Sequence, residues 1–192
     1  MKTAILGWGS LLWDSRPEFD SQLGAWELGG PTLPIEFSRV SESRGGALTL
    51  VIDHLFGGAC TCAFSISNRR NPDDAIGDLR CREGTTLANI GYYFADGTRQ
   101  YPQSRATLTT VQTWAHAKNI DVVIWTDLKS NFSIKRLVKK PFSVANAIAH
   151  LQLLSPEAKA NAAEYIWRSP ALVDTPLRRA VQTEPWFKVG AT

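Results

Sequence analysis

Two glycines flank Trp8 in the run Ile5-Leu6-Gly7-Trp8-Gly9-Ser10-Leu11-Leu12-Trp13. A loop of this kind, Gly7 to Leu11, lets the backbone approach a ligand closely and turns several N–H groups toward one point, which suits an oxyanion. It is not a dinucleotide fingerprint, because the third glycine position holds Leu12. The same pattern also reads as a plain tight turn between two packed segments. The second residue of interest is Glu83, in Leu79-Arg80-Cys81-Arg82-Glu83-Gly84. A carboxylate there is a candidate proton carrier, or else a helix-end partner of Arg80 or Arg82. Ser10, Asp53 and His54 do not make a hydrolase set. Ser10 lacks a G-x-S-x-G elbow, and the adjacent Asp53 and His54 point to opposite faces of a strand. Asp121, Asp127 and His116 lack a metal-ligand spacing, and Cys60-x-Cys62 is not the C-x-x-C of redox or zinc sites. Those two thiols read as small buried hydrophobes, and nothing marks Cys81 as activated.

The elements that must hold the loop and the acid follow from periodicity. Thr3 to Leu6 is a short buried strand ending at the glycines, and Leu11-Leu12-Trp13 resumes the apolar pattern. Ile35 to Val40, Ala47 to Ile52, Ala59 to Ile66 and Asn89 to Phe94 read as strands separated by glycine or proline turns, with Asp96-Gly97 closing the last. Asn71-Pro72-Asp73-Asp74 starts a helix that ends at Glu83. Ser104 caps a helix carrying Leu108, Val111, Trp114 and Ala115, which leads into a strand from Asp121 to Thr126 buried on both faces. Trp125 to Leu128 reads as a strand end that reaches a pocket or simply turns. Ser143 and Ser155 cap helices over Val144 to Leu154 and Pro156 to Arg168, so the last third is helical. After Thr183 the chain frays unless Trp186 and Phe187 dock it.

At 192 residues, with 44% apolar and 20% charged residues, the chain suits one domain with a substantial core, spanning 1–192. Its 21 basic and 18 acidic residues leave a charge of +3, a small surplus that indicates no nucleic-acid partner. The nearest basic cluster, Lys135, Arg136, Lys139 and Lys140, reads as a solvated face. No apolar stretch approaches the roughly 20 residues of a membrane span, and the opening residues lack a signal-peptide pattern, so a cytoplasmic protein without a membrane partner is expected. The oligomeric state is not readable.

The loop run resembles the Tyr-Gly-Ser-Leu signature that opens γ-glutamylcyclotransferases, and the Glu83 context resembles the segment that carries the single catalytic Glu of that superfamily. Order and separation also match, and the likeness covers roughly Met1 to Phe94. Trp8 stands where the family usually has Tyr, exchanging a phenolic oxygen for an indole donor. The resemblance implies an α+β fold with a small, closed or nearly closed barrel of mainly antiparallel strands flanked by helices. It implies a cyclising enzyme that releases 5-oxoproline from a γ-glutamyl amine, peptide or glutathione-like compound. On that reading Glu83 shuttles protons, and Gly7, Trp8, Gly9, Ser10 and Leu11 hold the γ-glutamyl group. Arg39 and Tyr165 contribute to the pocket, and no metal or other cofactor is needed. Arg39 is equally an exposed ion-pair partner, and for Tyr165 core packing beside Ile166 and Trp167 is the better-favoured reading. The alternative is a non-catalytic binding or interaction module on the same fold.

Overall fold

Five helices of the described chain begin at a side-chain oxygen that caps them. Asn71 accepts from the Asp73 amide at 3.1 Å, and Ser104, Ser143, Ser155 and Thr175 accept from Thr107, Asn146, Ala158 and Arg178. Each bond satisfies one of the donors that a helix start leaves open. The computed structural model describes residues 1–134, 138 and 140–187. In chain order the elements are β1 (Thr3–Gly7), α1 (Pro17–Asp20), β2 (Thr32–Ser41), β3 (Ala47–Ile52), β4 (Gly58–Thr61), β5 (Ala63–Ile66) and α2 (Pro72–Arg82). They continue with β6 (Ile90–Phe94), β7 (Gln100–Tyr101), α3 (Arg105–Lys118), β8 (Val122–Thr126), α4 (Val144–Leu153), α5 (Pro156–Arg168) and α6 (Pro176–Val181). The class is α+β, with a helical last third as expected.

The chain divides into two compact units, 1–33 with 61–128, and 34–60 with 129–192. The first unit holds a five-stranded sheet of order β5-β1-β8-β6-β7. β1 is antiparallel to β5 and parallel to β8, which is in turn antiparallel to β6. One face of this sheet packs under α2: Ile5, Val122, Ile124, Ile90 and Phe94 meet Ala75, Ile76 and Leu79 in a cluster that Leu11 and Phe19 complete. On the opposite face the Trp125 indole lies across Gly91, its cross-strand neighbour. Val122, Val123, Ile124 and Trp125 are fully buried, as a strand covered on both faces requires.

The second sheet, of order β3-β2-β4, belongs mainly to the second unit. Both sheets have free edges, β5 and β7 in one and β3 and β4 in the other, so the expected barrel does not close among the described residues. Closure depends on long-range pairing, which local alternation does not encode. The expected run Ala59 to Ile66 is two strands, because Cys62 leaves the ladder to bond Pro31 and Gly30 through its amide and carbonyl. Phe187 is buried against Trp167 with ring centroids 5.8 Å apart, so the end of the described chain docks. Among the described residues no helix is long and apolar enough to cross a membrane. Of the basic cluster, Lys135, Arg136 and Lys139 lie outside the described residues and Lys140 is exposed.

Within the second unit, Glu36 joins β2 to α6. It is fully buried, and its two carboxylate oxygens accept from the amides of Phe37 at 2.7 Å and Leu177 at 3.2 Å. Burial pushes its pKa above the ordinary 4.5, against hydrogen bonds from Thr175, Phe37 and Leu177 that favour the charged form. A carboxyl raised in the folded state stabilises it fully below its unfolded pKa, and that contribution is lost as pH rises through the folded pKa. Denaturant titrations of wild type and Glu36→Gln are therefore expected to diverge with acidification. The wild type gains stability relative to the variant as pH falls toward 4.5. A constant difference across that range would remove Glu36 as the titrating group.

Candidate functional site

The glycine loop leaves β1 at its carboxyl end. A Cβ at Gly7 would lie 2.8 Å from the Trp26 ring, so any larger residue there requires that ring to move. Beyond Gly9 the chain makes a single 3-10 turn, Ser10–Leu12, with the Leu12 amide bonded to the Gly9 carbonyl at 3.0 Å. The Ser10 carbonyl then accepts from the amides of Trp13 and Asp14. The Ser10 and Leu11 amides, at the open start of that turn, donate to no backbone carbonyl among the described residues. Trp8 is buried, and Leu11 anchors the turn in the core under α2.

Glu83 arrives from the other side. It caps the carboxyl end of α2, its amide bonded to the Leu79 carbonyl at 3.0 Å. Gly84, with φ of +56°, then terminates the helix in the left-handed region. The side chain of Glu83 is half-buried. Its neighbour Arg82 fixes the helix end against the loop. The Arg82 guanidinium, whose side chain is only 6% exposed, donates to the carbonyls of Ser10 at 3.2 Å and Asp14 at 2.8 Å and pairs with the Asp14 carboxylate at 3.5 Å. This clasp ties the end of the helix, and with it the segment that carries Glu83, to the loop.

The direction of α2 explains why its end meets the loop. Near its start Asp73 is held by Arg99 through two bonds of 3.0 and 2.8 Å. The Arg99 carbonyl binds the amide of Phe94, which pairs with Val122 at the beginning of β8. At its end Arg82 holds the loop that follows β1. The helix therefore runs in the same sense as the parallel pair β1 and β8, and its carboxyl end overlies theirs. Outside the carboxyl ends of adjacent parallel strands is a recurrent position for ligand sites. Arg82→Lys leaves one point donor in place of the fork and is expected to cost about 1–2 kcal/mol of stability. In an amide-exchange measurement the Asp14 amide should lose protection selectively, and unchanged protection there would dissociate Arg82 from the loop.

The remaining candidates have local settings in the second unit. Arg39, on β2, is half-buried and donates to the Lys129 carbonyl at 2.8 Å; burial lowers its pKa and Glu42 opposes the shift. Tyr165 is buried in α5, edge-on to Phe37 at 6.1 Å, with the Arg44 guanidinium 5.0 Å above its ring. Asp53 caps a turn by accepting from the Leu55 and Phe56 amides at 3.0 and 3.1 Å. It belongs to the second unit and Ser10 to the first. Cys60 and Cys62 are buried, and Cys81 is exposed with Arg80 3.3 Å from its sulfur. No group of three or more His, Cys, Asp or Glu side chains able to hold a metal ion forms among the described residues.

A cavity of about 270 Å³ adjoins the loop, lined by Leu11, Leu12, Trp13, Leu23 and Trp26 among others. It opens beside the turn that follows the glycines, and Glu83 is not part of its wall. Arg82 is the site residue that pattern reading passed over. Its signal was its place beside the acid, since an arginine at the last helical position can reach backbone carbonyls as well as carboxylates. Compared with known proteins, the chain matches no family model and no curated protein.

Proposed function

We propose that the first unit carries a γ-glutamylcyclotransferase-type site in which the loop from Gly7 to Leu11 receives the γ-glutamyl group and Glu83 moves protons. The observation that carries this reading is the Arg82 clasp, which joins the segment bearing Glu83 to the turn after Gly9. The substrate is a γ-glutamyl amine, peptide or glutathione-like compound, and the wider family architecture, including its barrel, is part of the same proposal.

In such a substrate the α-nitrogen and the γ-carbonyl carbon belong to one molecule and lie a five-membered ring apart, so the enzyme's main task is to fold them together. A bond forms between the α-nitrogen and the γ-carbon, and the bond from that carbon to the amide nitrogen breaks. Two protons pass from the α-ammonium to the departing amine. Glu83 accepts each and delivers it, while the Ser10 and Leu11 amides stabilise charge on the carbonyl oxygen. The ring closure consumes no water. The products are 5-oxoproline and the free amine or peptide.

The second reading is a module that binds a small molecule on this fold without turnover, and it is favoured by the cavity beside Leu11 to Trp13, whose wall lacks Glu83. Incubating the protein with a panel of γ-glutamyl amines, peptides and glutathione and measuring 5-oxoproline separates the two. Release from at least one compound supports the enzyme; binding of panel members with no release supports the module.

A further inference from the structure

At the carboxyl end of β8 lies a polar side chain without a bond among the described residues. The hydroxyl oxygen of Thr126 is closed off from solvent and has no hydrogen-bond partner among the described residues. Its neighbours in the strand are Val122, Val123, Ile124 and Trp125, so an apolar residue would continue the pattern at this position. A sealed hydroxyl without a partner costs about 1–3 kcal/mol, whereas valine has nearly the same shape and carries no such penalty.

Two independent registers locate this hydroxyl. Thr3, Ala4 and Ile5 of β1 pair with Val122, Val123 and Ile124 of β8. These pairs end at Ile5 and Ile124, and the same register carried two positions further would bring Thr126 level with Gly7. On its other side Thr126 pairs with Ile90 of β6. Side chains alternate along a strand, so Thr126 shares the face of Val122 and Ile124, the face that α2 covers. It therefore lies in the layer beneath the end of α2, where Arg82 grips the loop and Glu83 follows. The side chain as a whole is only half-buried, and one staggered step about χ1 exchanges its methyl and hydroxyl positions.

Resting on the γ-glutamyl reading above, we propose that Thr126 is a substrate-binding residue whose hydroxyl accepts a hydrogen bond from the α-ammonium of the γ-glutamyl group. The loop presents N–H donors, which match the substrate's oxygens and repel its ammonium. That ammonium needs acceptors, and Glu83 supplies one. The Thr126 hydroxyl supplies the second, fixing the nitrogen's direction toward the γ-carbon.

The test uses Thr126→Val and Thr126→Ser in the full chain. Without ligand, the thermal midpoint of Thr126→Val is expected to equal or exceed that of wild type, since the substitution removes an unpaired sealed hydroxyl. Its kcat/KM for γ-glutamyl compounds should fall about tenfold, chiefly through KM, and Thr126→Ser should restore most of it. Calorimetric titration with L-glutamine, and with glutaramate, which lacks only the α-amine, gives a readout independent of turnover. The valine variant should lose affinity for L-glutamine about tenfold and keep its affinity for glutaramate. If wild type binds L-glutamine and the variant loses it selectively while no 5-oxoproline is ever released, Thr126 stands as an amine-binding residue and the ring-closure reading alone fails. The inference is overturned if wild type does not prefer L-glutamine to glutaramate, if the valine variant retains wild-type affinity, or if its unliganded midpoint falls as it would for a bonded structural hydroxyl.

Discussion

On the proposed reaction, Glu83→Gln is expected to lower the rate of 5-oxoproline release by roughly 10²–10⁴-fold. Glutamine keeps the length and shape of the side chain and retains a carbonyl acceptor, so contacts with a bound α-ammonium survive. It cannot take up a proton at neutral pH and pass it on. Two backbone features end the helix here, the amide bonded to Leu79 and the left-handed Gly84. Arg82, which anchors the segment, is untouched. The expected kinetic signature is a loss in kcat with KM little changed. Retention of wild-type kcat in the glutamine variant would remove the acid from the reaction, and an equal loss of stability would show that the residue supports the helix end instead.

The largest effect on stability is expected at Gly91. A Cβ on this residue would stand 2.2–2.5 Å from three atoms of the Trp125 indole. Trp125 is fully buried in the central strand, so its ring has nowhere to turn. Gly91→Ala therefore forces β6 away from β8 or expels the indole from its site, at a cost of about 3 kcal/mol, the upper part of the range for overpacked cores. For a chain of this size that corresponds to a midpoint about 6–12 °C lower in a thermal scan. Combining Gly91→Ala with Trp125→Leu should recover part of the loss by vacating the space. An alanine variant as stable as wild type would show that the close approach of ring and backbone does not constrain the sheet.

Much of the local architecture is legible because its causes are local. Asn71, Ser104, Ser143 and Ser155 announce their helices through oxygens that bond amides two or three residues on. The β1 strand, its glycine break and the end of α2 at Glu83 follow from apolar runs and from Gly84. Other features depend on distant partners. Nothing near Cys62 indicates that its amide will leave a strand ladder for Pro31, so one run became two strands. The short helix α6 has Thr175 and Pro176 as a start signal, but it spans only Pro176–Val181 and is tied down by Glu36, 141 positions earlier. The proposed site is legible in the sequence as two separate pieces. What joins them is Arg82, whose role depends on carbonyls at Ser10 and Asp14, and no periodicity in the sequence links those positions.

The parallel pairing of β1 with β8 also sets a timetable for synthesis. Lys2 and Asp121, bonded where the two strands begin, are 119 positions apart. At about 5–20 residues per second a ribosome takes roughly 6–24 s to cover that distance. Throughout that interval the edge of β1 that β8 comes to cover has no lasting neighbour. A chaperone that shields extended apolar segments would have its clearest opportunity there.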